Sequence, residues 1–288
     1  MTSRNNLNRI GATAPDDSDS TAATVEQTSA MHYTVPTEMV DLPSKGFFYK
    51  EGHPLHGLDS IEIRHMTAKD EDIITNKSFI KKGIVLDRLL ESVIVDKAVS
   101  PRDLLVCDKS ALLVATRIHA YGEAYEVKIP CISCGTTSEY EFDLEEATKV
   151  NDFETTASTL DNLQLTEQGT FRIKLPKTKV EIEYRPLDGT DEKKLAETNS
   201  MRAKNNLPEL GITDQIKMFV VSVNGEEDRA AVSQFVDNMP AADSLYLRTR
   251  YNMTVPNFEL AQGWSCNSCG YEQVLEVPFT SDFFWPKQ

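Results

Sequence analysis

The chain has 288 residues, of which 40% are hydrophobic and 26% are charged. This length and composition favour one or two globular domains whose stability does not depend on disulfide bonds. Forty-five acidic residues against 30 basic residues give a formal net charge of −15, which repels phosphate backbones and argues against nucleic acid as a partner. The sequence has no run of about 18 apolar residues, which argues against a membrane protein.

The beginning of the chain is polar. Residues 1–30 lack the apolar centre of a secretory signal and have few apolar side chains to bury. We therefore predict a flexible polar tail over residues 1–34 of a cytoplasmic product. Five cysteines without a signal peptide point to reduced thiols or thiolate ligands rather than to disulfides.

Residues 35–122 are predicted to form an arm, a strand and a helical region. The arm, rich in loops, contains LPSKG, in which Pro43 and Gly46 predict a turn. The alternation in SIEIRHM predicts a half-buried strand. Thr67 and Asp70 have the spacing of a capping box at the start of a helix. A second helix is predicted by an apolar stripe at three- and four-residue spacing, which consists of Leu86, Leu89, Leu90, Val93 and Ile94.

Two further helices are predicted before Gly122. Ser100 and Pro101 are expected to start a short one, and Asp108 is expected to cap a longer one through KSALLVATRIHAY. Cys107 lies between them among apolar residues. Such a lone cysteine is typically a small buried hydrophobic residue and not a nucleophile.

Residues 143–257 are predicted to form an α+β lobe. The segments FRIKL and KVEIEYR predict a hairpin. Three helices are expected to follow: one after Thr190, one from Thr213 through DQIKMFVVSV, and one from Asp228. The Asn-Gly pair in VNGEED separates the last two of these helices.

Two five-residue segments share one cysteine pattern, CISCG at residues 131–135 and CNSCG at residues 266–270. Each follows a strand-like segment and precedes an alternating one, as in the two hairpins of a zinc ribbon. In such a ribbon four thiolates surround one structural Zn²⁺ at about 2.3 Å and leave no open position. The predicted ligands of one zinc ion per chain are Cys131, Cys134, Cys266 and Cys269.

Redox-active or unliganded cysteines are the alternative to zinc. A redox pair requires a helix N-terminus, and strand-like alternation follows both cysteine pairs, so zinc is favoured. The predicted ribbon comprises residues 123–142 and 258–288. The predicted fold is therefore α+β, with a helical N-terminal region, a four-cysteine zinc ribbon and an α+β lobe inserted between the two zinc knuckles.

Other candidate sites are weaker. His53 and His56 lie in a loop rich in Pro and Gly and are interpreted as loop histidines rather than as a second metal site. The sequence has no Gly-rich phosphate loop, no nucleophile elbow and no H-E-x-x-H motif, which argues against an enzyme. The aromatic run at Phe283, Phe284 and Trp285 either folds back over the ribbon or docks on another protein.

The chain resembles the baseplate hub proteins of T-even-like contractile-tailed bacteriophages. The resemblance covers most of the chain from about Val35 onward. It runs through LPSKGFFY, IEIRHMTAKDEDIITNKSFIKKG, LDRLLESVI, VCDKSALLVATRIHAYGEAYEVKIPCISCG, FVVSVNGEEDRAAVSQFVDNMPAADSLYLR and CNSCG. The zinc prediction depends on the cysteines of this sequence and not on the family.

The resemblance implies a non-enzymatic structural component of the phage baseplate hub, located in the virion tail, assembled in the host cytoplasm and bound to other baseplate and tail proteins. Aromatic residues near Pro are the candidate contacts with those partners, namely Phe47, Phe48, Phe284 and Trp285. A baseplate assembly chaperone absent from the mature virion is the first alternative. A zinc-ribbon regulatory protein is a second, disfavoured by the acidic charge, and a hub-associated lysozyme comes last.

Overall fold

The computed structural model describes residues 34–277 and 281–284. The predicted tail lies outside these residues except for Thr34, and Trp285 also lies outside them. The described part of the chain combines helices with antiparallel strand pairs, which confirms the α+β class. Among the described residues, no helix has both the length and the apolar character needed to cross a membrane.

The first described elements form a two-stranded antiparallel sheet, in which β1 (Thr37–Asp41) pairs with β2 (Ser60–Arg64). The arm loop, residues 42–59, connects the two strands. It opens with the predicted turn, closed by a 2.8 Å hydrogen bond from the N–H of Lys45 to the carbonyl of Leu42. Gly46 has φ 67°, and a Cβ added there would lie 2.4 Å from the backbone nitrogen of Leu58, so only glycine fits.

The helical region that follows confirms two of the predicted helices. The helix α1 (Ala68–Ile74) starts after Thr67, whose N–H donates to the Asp70 carboxylate at 2.8 Å, as the capping box predicts. After α2 (Lys77–Lys82), the apolar stripe forms α3 (Val85–Val93), which buries Leu89, Leu90 and Val93.

Two predictions about the next segment are wrong. Residues 101–103 form turns and not the short helix expected from Ser100. The long helix α4 (Val106–Tyr121) begins before Asp108, so this residue does not cap it. Asp108 is fully buried and its carboxylate accepts hydrogen bonds from the arm loop, which gives it partners that a cap position would not provide. Cys107 is buried on α4, as predicted.

The remaining described residues form two hairpin regions, a four-stranded sheet and the helices around them. In chain order, these elements are β3 (Ala124–Pro130), β4 (Thr137–Asp143), α5 (Leu144–Ala147), β5 (Thr148–Val150), α6 (Phe153–Thr159), β6 (Leu163–Leu165), β7 (Phe171–Lys174), β8 (Glu181–Tyr184), α7 (Gly189–Lys204), α8 (Ile212–Phe219), β9 (Val220–Val223), α9 (Arg229–Asn238), α10 (Ala241–Thr254), β10 (Phe258–Ser265) and β11 (Glu272–Glu276).

The four-stranded antiparallel sheet has the order β6-β7-β8-β9 and contains the predicted hairpin of β7 and β8. The helix predicted from Thr213 is too long, because α8 ends at Phe219 and residues 220–223 form β9. These residues are rich in Val and pair with β8, so strand pairing overrides the helical pattern. The helix α9 follows Asp228 as predicted, whereas α10 was not predicted.

A continuous hydrophobic core runs from β1 and the arm loop through α3 and α4 to the four-stranded sheet. It also contains the two phenylalanines of the 3₁₀ helix Ser281–Phe284. This burial corrects the predicted partner contacts, because Phe48 is 8% and Phe284 is 1% exposed. Phe47 is half-buried and packs on Phe48 and Phe153. Burying a phenylalanine side chain is worth about 1.5–3 kcal/mol relative to leaving it in water, which favours packing inside the chain.

Candidate metal centre

The two cysteine segments occupy equivalent positions at the ends of two hairpins. Residues 131–135, the first knuckle, connect β3 to β4, and residues 266–270, the second knuckle, connect β10 to β11. Both hairpins are antiparallel with continuous pairing up to the knuckle. The alternating segments seen in the sequence therefore form the strands that were predicted on both sides of each cysteine pair.

The two knuckles have the same backbone hydrogen bonds. In the first, the N–H of Gly135 donates to the carbonyl of Cys131 at 2.8 Å, and in the second the N–H of Gly270 donates to that of Cys266 at 2.9 Å. The two glycines have φ 72° and 71°. No atom of the described residues lies within 4 Å of a Cβ added at either position, so the left-handed backbone, and not lack of space, requires glycine there.

The four sulfurs converge to the spacing of a tetrahedral metal site. The Sγ of Cys131 lies 3.7 Å from that of Cys269, and the Sγ of Cys134 lies 3.8 Å from that of Cys266. All four lie within 4.8 Å of one another. Sulfurs held at about 2.3 Å around a tetrahedral Zn²⁺ are about 3.8 Å apart, whereas a disulfide needs about 2.05 Å. The donor set therefore fits one Zn²⁺, and no pair of these cysteines forms a disulfide.

The surroundings of the sulfurs favour a closed structural site. Cys131 and Cys266 are buried with Trp264 in a small cluster, while Cys134 and Cys269 are exposed. The hydroxyl of Tyr140 on β4 donates to the carbonyl of Gly263 on β10 at 3.0 Å, which ties the two hairpins together. The four cysteines would occupy all four positions of a tetrahedral ion and leave none for a substrate.

Hydrogen bonds around the thiols favour thiolates at two positions. Those from Thr136 lower the pKa of the Cys134 thiol to about 6. Backbone hydrogen bonds, first that from Ser268, also lower the pKa of Cys266. The backbone hydrogen bond from Tyr271 lowers the pKa of Cys269, but desolvation and the neighbouring thiols outweigh it and raise this pKa to about 11. Such crowding of thiols is relieved when a dication neutralises them.

All four predicted site residues are thus brought together. Neither pair lies at the N-terminus of a helix, which is where a redox pair would have a lowered thiol pKa. The ring nitrogens of the two HPLH histidines have separate backbone partners: Nδ1 of His53 accepts from the N–H of Leu55 at 3.1 Å, and Nδ1 of His56 lies 2.6 Å from the carbonyl oxygen of Tyr49.

A second group of potential ligands was missed in the sequence. The side chains of Glu38, His65 and His119 place one oxygen or nitrogen each within 4.8 Å of one another. His65 follows Glu38 by 27 positions and His119 follows it by 81, and no motif connects the three residues. Pairing the strand SIEIRHM with TEMVD would have placed Glu38 near His65, but nothing in the sequence indicates His119.

A family model described as T4 bacteriophage base plate protein matches residues 36–285. The chain belongs to this family. The matched segment contains the arm loop, both knuckles and the four-stranded sheet. Membership in the base plate family makes the chain a structural protein of the phage base plate, located in the virion tail beside other phage tail proteins. Comparisons with curated proteins and with solved structures each give no significant match.

Proposed function

We propose that the chain is a structural subunit of the base plate hub, in which the four-cysteine centre holds one structural Zn²⁺. The observation that carries the zinc proposal is the convergence of four sulfurs from two hairpins that lie 132 positions apart in the sequence. The base plate family supports a role in making contacts within the tail rather than in catalysis. The narrower placement in the hub follows from the resemblance described above.

Zinc would link the two knuckles, between which lies the lobe formed by residues 143–257. The two knuckles stand before and after this lobe, and a shared ion would fix its ends. Loop closure over such a distance costs only about 0.6 kcal/mol more for each doubling of length, which the binding of a structural zinc ion easily offsets. We propose accordingly that residues 123–142 and 258–288 form the ribbon around an inserted lobe.

The partner surface is proposed to include the tip of the ribbon instead of the buried aromatics. Ile132, between the two cysteines of the first knuckle, is 73% exposed, and Val274 on β11 is 69% exposed. A knuckle fixed by zinc would present Ile132 in one orientation, and such preorganisation reduces the entropy cost of binding. Ile132→Asp should weaken incorporation into base plates. Val150→Asp, at an exposed position at the end of β5, is the matched control and should not weaken it.

Metal analysis tests the zinc centre directly. Protein purified under reducing conditions should contain one zinc ion per chain in the thiolate site, and Cys266→Ser should lose it. Cys107→Ser is the matched control and should retain zinc, because this thiol is buried on α4 away from the knuckles. Four freely titratable thiols in native, zinc-exposed protein would refute the proposal.

Mass spectrometry of purified virions tests the structural role. Peptides of this chain should be present in stoichiometric amount, and chemical cross-links within isolated base plates should join it to proteins on the central axis. Peptides present only in assembly intermediates would instead favour the assembly chaperone. Cross-links to peripheral base plate proteins alone would refute the hub placement while leaving the family assignment intact.

A further inference from the structure

We propose that Glu38, His65 and His119 form a second metal site, which binds a divalent transition-metal ion such as Zn²⁺. The proposal is independent of the four-cysteine centre, because it involves other residues on other elements. Two imidazoles and a carboxylate are the donor set that such ions accept in proteins.

The fold brings these three side chains together on one face of the first sheet. Glu38 pairs with Ile63 across β1 and β2, and the N–H of His65 donates to the carbonyl of Pro36 at 2.9 Å, which extends the ladder by one pair. Glu38 and His65 are therefore diagonal neighbours on the face that also carries Ile63, which is buried. Diagonal neighbours of this kind lie within reach of long side chains. His119 comes from the last turn of α4, which packs against β1.

The donor atoms already converge. One carboxylate oxygen of Glu38 lies 3.0 Å from Nε2 of His65, and the other lies 2.9 Å from Nε2 of His119. The two imidazole rings are nearly parallel, with centroids 5.3 Å apart. Ligand atoms about 2.0 Å from a tetrahedral Zn²⁺ are about 3.3 Å apart, and one donor atom from each of the three side chains already lies within 4.8 Å of the other two. The fourth position would be filled by water.

Solvent can reach the three side chains, because 49% of the Glu38 side chain, 27% of that of His65 and 19% of that of His119 are exposed. His119 also lines an open groove of about 1030 Å³ between the arm loop, α4 and β5. An ion can therefore enter without unfolding of the chain. Joining β1, β2 and α4, the site would hold the first sheet against the long helix.

The site should bind metal more weakly than the four-cysteine centre. Nδ1 of His119 is buried and has no hydrogen-bond partner among the described residues. When Nε2 binds a metal, the ring proton must move to Nδ1, where it lacks an acceptor. The metal-free cluster avoids this by placing the proton on Nε2, which donates to Glu38.

Zinc titration of the full chain, followed by metal analysis after removal of free ion, tests the proposal. The wild-type protein should bind two zinc ions per chain. His65→Ala/His119→Ala should bind one, and Glu38→Gln should weaken the second ion by about 10-fold or more. His53→Ala/His56→Ala is the matched control and should still bind two. Cys131→Ser/Cys266→Ser should lose only the ion in the thiolate site, so failure of either site can be recognised separately.

Nitrogen NMR of ¹⁵N-histidine-labelled wild-type protein gives a readout that requires no variant. The second zinc equivalent should shift the Nε2 signals of His65 and His119 and leave those of His53 and His56 in place. Saturation at one zinc ion, or a second ion that is retained at unchanged affinity in His65→Ala/His119→Ala, would overturn the proposal. In that case Glu38 simply bridges two imidazoles by hydrogen bonds.

Discussion

Replacing Asp108 by Ala should destabilise the protein strongly, because this carboxylate anchors the arm loop. It accepts hydrogen bonds from the N–H of Ser44 at 3.0 Å, the hydroxyl of Ser44 at 2.6 Å and the hydroxyl of Tyr49 at 2.7 Å. All three residues are buried. A buried donor that loses its acceptor costs about 1–3 kcal/mol, so three donors should cost about 4 kcal/mol or more even after the hydroxyls reorient. That is a large part of the roughly 5–15 kcal/mol of a typical domain.

Equilibrium unfolding in urea, measured by circular dichroism on zinc-loaded protein, gives the free energy of unfolding of both forms. Glu91→Ala is the matched control, because the Glu91 carboxylate forms an exposed ion pair with Arg88. Its removal should cost less than about 1 kcal/mol. If Asp108→Ala destabilises the protein no more than Glu91→Ala does, the anchoring role is refuted.

A double-mutant cycle with Tyr49→Phe identifies the pair responsible. The Tyr49 hydroxyl also accepts from the N–H of Leu105 at 3.1 Å, so Tyr49→Phe alone should cost about 1–3 kcal/mol. In the Asp108→Ala background the same change should cost clearly less, because the hydroxyl has already lost its acceptor. Additive effects of the two substitutions would show that Asp108 and Tyr49 stabilise the chain independently.

Three further predictions use the same unfolding assay. Burial raises the pKa of Asp70, but hydrogen bonds, first those from Arg64, outweigh it and hold this pKa well below its usual range. Asp70→Asn should therefore destabilise the protein at pH 7, and its difference from wild type should shrink as the pH falls below about 4. Gly46→Ala should cost several times the ~1 kcal/mol expected for Gly135→Ala, because of these two glycines Gly46 alone combines positive φ with a clash; equal costs would contradict this. Phe284→Ala should cost about 3–5 kcal/mol, and a cost below about 1 kcal/mol would contradict core packing.

The sequence predicts best where local pattern and tertiary environment agree. The stripe of α3 lies on the core, and each knuckle is a short segment whose cysteines and glycine specify one backbone path. The convergence of the two knuckles could be predicted because two C-x-x-C pairs in one chain are typical of a single metal site that both pairs share.

Elsewhere a partner distant in sequence decides the outcome. Asp108 looks like a helix cap, but Ser44 and Tyr49 in the arm loop provide its hydrogen bonds. Residues 220–223 fit a helical pattern in the sequence, but they form a strand because they pair with β8. In α10, Leu247 is the one large apolar side chain that is buried, so the sequence contains no apolar stripe that would have predicted this helix.

The aromatic residues show the same limit for the candidate partner site. Phe48 and Phe284 were assigned to partners because their segments lack a regular pattern, yet both are core residues. Phe284 follows Phe283, whose carbonyl accepts from Nε of Arg117 on α4 at 2.8 Å. An irregular backbone held by side-chain hydrogen bonds leaves no periodic signal in the sequence.

The separation of the two knuckles has a consequence for synthesis on the ribosome. Cys134 leaves the ribosome 132 residues before Cys266. At about 5–20 residues per second, the first two thiols wait roughly 7–26 s for the other two. During that interval a zinc ion on the first knuckle would have only two protein ligands, and it would exchange with free metal or be removed by competing thiols. Loading of the proposed zinc site therefore belongs to the last stage of translation, when residues 143–257 have already been made.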